Sequence, residues 1–159
     1  MRIILKLFFL FISAFLGQFA LGQNKGVNPT GTYILDNKAI VIEKETYGYA
    51  GLIQVKTLSE NKILMTFTIN KGAPSYNSGS FVDTLSYLNN QAIFTIPESD
   101  ASCQITFMFT ESGVTVKEKA KDLNTACGFG HAVVADGFFK KVSSLVPVLR
   151  NPGTGEILK

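Results

Sequence analysis

Apolar and polar residues alternate one by one along much of this chain. Ile63, Met65, Phe67 and Ile69 alternate with Lys62, Leu64, Thr66 and Thr68, and Cys103, Ile105, Phe107 and Phe109 alternate with Gln104, Thr106, Met108 and Thr110. A period of two puts one set of side chains on each face of a strand, and β-branched and aromatic residues suit that pleated surface. No window holds a helical period with caps; the best helical candidate is a short piece at 119–124. Turn chemistry then divides the chain. Asp36-Asn37, Ser59-Glu60-Asn61, Asn89-Asn90 and Glu111-Ser112-Gly113 read as tight turns, because these residue types tolerate the backbone angles a hairpin requires. The pattern predicts strands near 31–35, 38–43, 50–58, 62–70, 79–88, 91–96, 103–110, 114–119 and 137–142.

Between these strands, tight turns alternate with longer connections at 44–49, 71–78, 97–102 and 120–136. In an antiparallel meander alternate connections fall at opposite ends, so the long loops are expected to share one rim. An open sheet of this size would leave an apolar face and two bare edges. The expected fold is therefore all-β, an antiparallel up-and-down meander of eight or nine strands closed into a lipocalin-like barrel. A two-sheet sandwich is the alternative.

The ends of the chain differ from its middle. Arg2 and Lys6, the apolar run Leu7–Leu16 and the small residues of Ala20-Leu21-Gly22 have the three parts of a secretory signal. Residues 1–22 are read as that signal, 23–30 as a flexible lead-in, 31–142 as one β-domain and 143–159 as a Pro- and Gly-containing tail. The tail is expected to be partly disordered, unless Asn151-Pro-Gly-Thr-Gly155 turns between two short strands. A secreted or periplasmic protein is implied, with no stable membrane span once the signal is cleaved. No cysteine lies near the expected cleavage site, so no lipid anchor is expected there.

The formal net charge is +3, from 15 basic and 12 acidic residues, and Arg2 and Lys6 supply two of the three excess charges. What remains is near neutral, without the basic stripe that nucleic-acid binding demands. Lys117, Lys119 and Lys121 are interleaved with Glu118 and Asp122 and read as a solvated edge. The chain has two cysteines, Cys103 and Cys127. In an oxidising compartment they are expected to pair, at the long-loop rim, which stabilises the fold by about 3 kcal/mol through loop-closure entropy. The competing reading makes Cys127 a nucleophile beside His131.

His131 is the one histidine. A zinc site takes three or four protein ligands and a disulfide removes both thiolates, so no metal or other cofactor is expected. Nothing resembles a nucleophile elbow, and no catalytic residue is assigned. The carboxylate pairs Glu43/Glu45 and Glu98/Asp100 read as surface charges. Asp83 shares a strand face with Phe81, Leu85 and Tyr87, and points weakly to a polar group inside the barrel. Tyr47, Tyr49 and Tyr76 sit beside glycines on the expected rim, where tyrosine makes a large amphipathic contact surface. Phe129, between Gly128 and Gly130, is either a rigid anchor for a partner or a plug for the barrel end.

The strand Cys103-Gln-Ile-Thr-Phe-Met-Phe109, followed by Cys127-Gly-Phe-Gly-His131 and the run to Lys141, resembles small exported bacterial β-barrel proteins. These are loosely lipocalin-like and lysozyme-inhibitor-like, and the resemblance covers roughly 103–141. Membrane-bound inhibitors of C-type lysozymes carry Ser-Gly-x-x-Tyr in a loop. Here Ser78-Gly79-Ser80-Phe81-Val82 has the Ser-Gly and no tyrosine, so no inhibitory residue is carried over. Composition and resemblance together predict a non-catalytic binding protein. Its rim, with Tyr47, Tyr49, Tyr76, Phe129 and His131, would meet a macromolecular partner such as a lysozyme or another envelope component. The alternative is a carrier of a small apolar ligand in a hollow barrel.

Overall fold

A computed structural model describes residues 26–158; the predicted signal at 1–22 and the first residues of the lead-in lie outside it. Nine strands form: β1 (Gly31–Leu35), β2 (Ile40–Ile42), β3 (Glu45–Ser59), β4 (Lys62–Gly72), β5 (Ser78–Leu88), β6 (Gln91–Ile96), β7 (Asp100–Phe109), β8 (Gly113–Lys119) and β9 (Gly137–Ser143). Neighbours in sequence pair antiparallel from β3 to β9, and β1 closes the ring by pairing with both β9 and β3. The result is a closed eight-stranded antiparallel barrel plus one extra strand, as the alternation implies.

The extra strand corrects the reading of 38–43 as a barrel stave. The chain leaves the barrel at Asp36, whose N–H donates to Phe138 O, and β2 pairs only with the first residues of β3, Ile40 opposite Tyr47 and Ile42 opposite Glu45. The turn is made by Glu43 and Lys44, both at positive φ (50° and 72°), the conformation a two-residue hairpin needs. Asp36-Asn37 makes no hairpin between staves; the Asn37 amide donates instead to Tyr49 O (2.8 Å). Residues 45–49, expected as loop, are the start of a fifteen-residue strand. The connection before β7 shortens to 97–99, and the only helical turn among the described residues is a short 3₁₀ piece at Ala126–Gly128 rather than at 119–124. The tail is ordered into a small hairpin, with Arg150 bridged to Ile157 and Leu149 buried.

Side chains fill the barrel axis. Phe67 stacks on Phe81 (5.4 Å between centroids) and Phe129 (6.0 Å), and meets Phe107 and Phe139 at 5.8 Å. Around these rings lie Ile53, Val55, Met65, Ile105 and Val116, all fully buried. The ladders are uneven. The β3–β4 and β4–β5 seams each hold nine paired positions, whereas β5–β6 holds two, Tyr87–Ala92 and Leu88–Gln91. Beyond them, Phe81 of β5 and Phe94 of β6 stack face to face at 3.9 Å and bridge the seam with rings in place of backbone. Asp83 stands where that ladder has stopped, half-buried, its carboxylate accepting from Thr84 N (2.7 Å). Its role is to cap a strand N–H that has no neighbour.

Candidate functional site: the long-loop rim

The connections 36–44, 73–77, 97–99 and 120–136 lie at one end of the barrel, since the register places Asn70 opposite Ser78, Ile96 opposite Asp100 and Val116 opposite Gly137. The longest of them is held from several sides. Cys103 and Cys127 form a disulfide that ties it to β7. Asn77 Nδ2 donates to His131 O (2.9 Å), and the Tyr49 hydroxyl donates to Ala132 O (2.9 Å). Ala135 N donates to Glu118 Oε2 (2.7 Å), and Lys121 N to Ser102 Oγ (3.0 Å).

Two carboxylates set the electrostatics here. Hydrogen bonds from the Ser102 hydroxyl and backbone N–H, helped by the Cys127 N–H, hold the Asp100 carboxyl below its ordinary value. Glu118 moves the other way. Burial is the main cause, its Oε1 has no hydrogen-bond partner, and Asp136 and Asp100 repel its charge; the Ala135 N–H offsets part of this. No group of three or more His, Cys, Asp or Glu among the described residues could hold a metal ion. With both sulfurs bonded, Cys127 is no nucleophile.

The predicted rim residues divide sharply. Tyr47 (40% exposed) and Tyr76 (48%) face solvent, and so does the His131 side chain. Tyr49 is half-buried and spends its hydroxyl on Ala132 O, which makes it a strut. Phe129 is buried and turns inward onto Phe67, which corrects its assignment to the binding surface. The reason lies across the barrel at Gly79: a Cβ there would overlap the Phe129 ring, so the missing side chain makes the socket. Gly130 N then donates to Ser78 O (2.9 Å) and seats the plug.

The strongest surface feature was missed from sequence. Ile40, Val41 and Ile42 are 60%, 68% and 54% exposed, on a hairpin that projects from the rim beside Tyr47. Both faces of β2 are thus apolar and open, and its outer edge is unpaired among the described residues. The sequence carries it only as three consecutive β-branched residues without alternation, a run equally compatible with a strand of the barrel wall. No helix of the described residues is long and apolar enough to cross a membrane. No family model, no curated protein and no solved structure matches this chain.

Proposed function

We propose that this is an exported, non-catalytic binding protein that meets a macromolecular partner with its long-loop rim. The observation that carries the reading is the exposed Ile40-Val41-Ile42 hairpin. A monomer in water gains nothing by holding three adjacent β-branched side chains in solvent, and such patches mark interaction sites. Tyr47 and Tyr76 extend the surface with amphipathic rings. The disulfide and the Asn77, Tyr49 and Glu118 bonds preorganise the loop beside it, which lowers the entropy cost of association. Export is supported by the signal-like first 22 residues and fits an oxidised cysteine pair. A lysozyme or another envelope component remains the partner class suggested by the resemblance. Carriage of an apolar ligand is disfavoured, because the rings around Phe67 occupy the space such a ligand would need.

The test uses immobilised protein presented with a C-type lysozyme and with solubilised envelope fractions. Val41→Lys combined with Tyr76→Ser is expected to abolish retention while leaving the circular dichroism and thermal midpoint unchanged. If nothing is retained by the unaltered protein, or the double variant retains as much, the reading falls.

A further inference from the structure

The opposite end of the barrel, where the two-residue turns lie, holds a half-open cavity of about 680 Å³. Its wall is unusually rich in amides, with Asn28, Asn61, Asn89 and Asn90 all lining it. Two of the four are held in place. Asn90 Oδ1 accepts from Val27 N (2.7 Å), and Asn28 Oδ1 accepts from Thr30 N (3.0 Å). With each oxygen engaged, the NH₂ group of each amide has no acceptor among the described residues. The hydroxyls of Thr30 and Thr57 lie 2.7 Å apart. One of their two protons bridges them, and the other is free for a third oxygen.

The charges narrow what such a wall can recognise. Among the described residues Glu60 is the one carboxylate lining the cavity and no Lys or Arg lines it, while Lys141 Nζ donates to the carbonyl of Asn28 (3.1 Å) at its edge. One carboxylate on the wall and one ammonium at its edge balance and single out neither ion, and one carboxylate is too few for a cation that wants six or more oxygens. Fixed N–H donors, the further side-chain amides of Asn61 and Asn89, a hydroxyl and one carboxylate match vicinal hydroxyl groups, each of which both donates and accepts. Leu88, 57% exposed at the same wall, offers apolar ground to the C–H face of a ring. We infer that this cavity binds a neutral saccharide, one or two pyranose rings in extent. Volume agrees, being within the range of small-molecule sites. The inference is independent of the rim, which lies at the other end of the barrel.

The experiment is saturation-transfer NMR on the disulfide-bonded protein. The probes are the methyl glycosides of glucose, galactose, mannose and N-acetylglucosamine, and the β-1,4-linked dimer of the last. Each is supplied at about 10 mM, tenfold above a millimolar dissociation constant. Transfer to at least one sugar is expected. Glu60→Gln with Asn61→Ala, both exposed turn positions, should weaken binding at least tenfold, and Val41→Lys with Tyr76→Ser should leave it unchanged. Transfer to none of the sugars overturns the inference, as does transfer indifferent to the turn variant or lost in the rim variant.

Discussion

The two ends of this barrel are closed by different means, and the difference follows from the length of the connections. At the turn end the strands are joined by two or three residues, and the lid is the segment 26–30. It is fastened by main-chain carbonyls: the Tyr33 hydroxyl donates to Pro29 O (2.7 Å) and the Tyr87 hydroxyl to Val27 O (2.6 Å). At the rim the lid is a long loop that drops a phenyl ring into the core and is tied by a covalent bond. One closure leaves a polar concavity outside, the other an apolar projection. A single continuous core can therefore carry two chemically unlike surfaces, because loop chemistry is set independently of the staves beneath it.

Because both lids rest on one core, removing its hub should break the contrast altogether. Phe67→Ala deletes a ring that touches four others, and is expected to cost about 3–5 kcal/mol in urea denaturation, with both ends affected together. Cys103→Ser with Cys127→Ser should cost about 3 kcal/mol. It sharpens the comparison: amide chemical shifts are expected to move along 120–136, while those of 26–30 and 89–90 stay in place. Tyr87→Phe works at the other end, removing the hydroxyl's part-buried bonds to Val27 O and Asn90 Oδ1 and costing about 1 kcal/mol, with the rim unaffected. The same tyrosine gives a pH signature. Burial, with a smaller push from Glu111, raises its pKa to about 12. A raised folded value means the stabilisation is complete below the free phenol's pKa near 10 and is lost as pH climbs through about 12. Alkaline unfolding followed between those limits should be flatter in the Tyr87→Phe variant.

Legibility in the sequence followed the range of the interactions responsible. The staves at 62–70 and 103–110 were readable because alternation is a local record of which face is buried, and β4 and β7 cover those positions. The pairing of Cys103 with Cys127 needed only compartment and count. The hairpin 40–47 was not readable, since Glu43 and Lys44 carry none of the usual marks of a positive-φ turn, whereas Asp36-Asn37 carries them and turns no stave. The inward swing of Phe129 was hidden for another reason. It depends on the absent side chain of Gly79, fifty residues away in sequence, and the flanking glycines of Phe129 fit either orientation. The amide-lined cavity was invisible likewise, being assembled from two turns and the lid segment 26–30, whose asparagines each look ordinary in their local sequence.

Barrel closure joins the first stave to the last, Thr32 opposite Ser143. A nascent chain that has emerged only as far as β8 is thus an incomplete ring: β1 can pair with β3, but its other side and the outer side of β8 have nothing to meet. Closure through this seam needs the ninth strand, so the ring cannot be complete before it is present. Long-range pairing of this kind is slow, and a chain that stays open until its end arrives is one that can still be threaded through a narrow pore. Truncation before Gly137 should accordingly give a sticky, two-edged sheet and no smaller barrel.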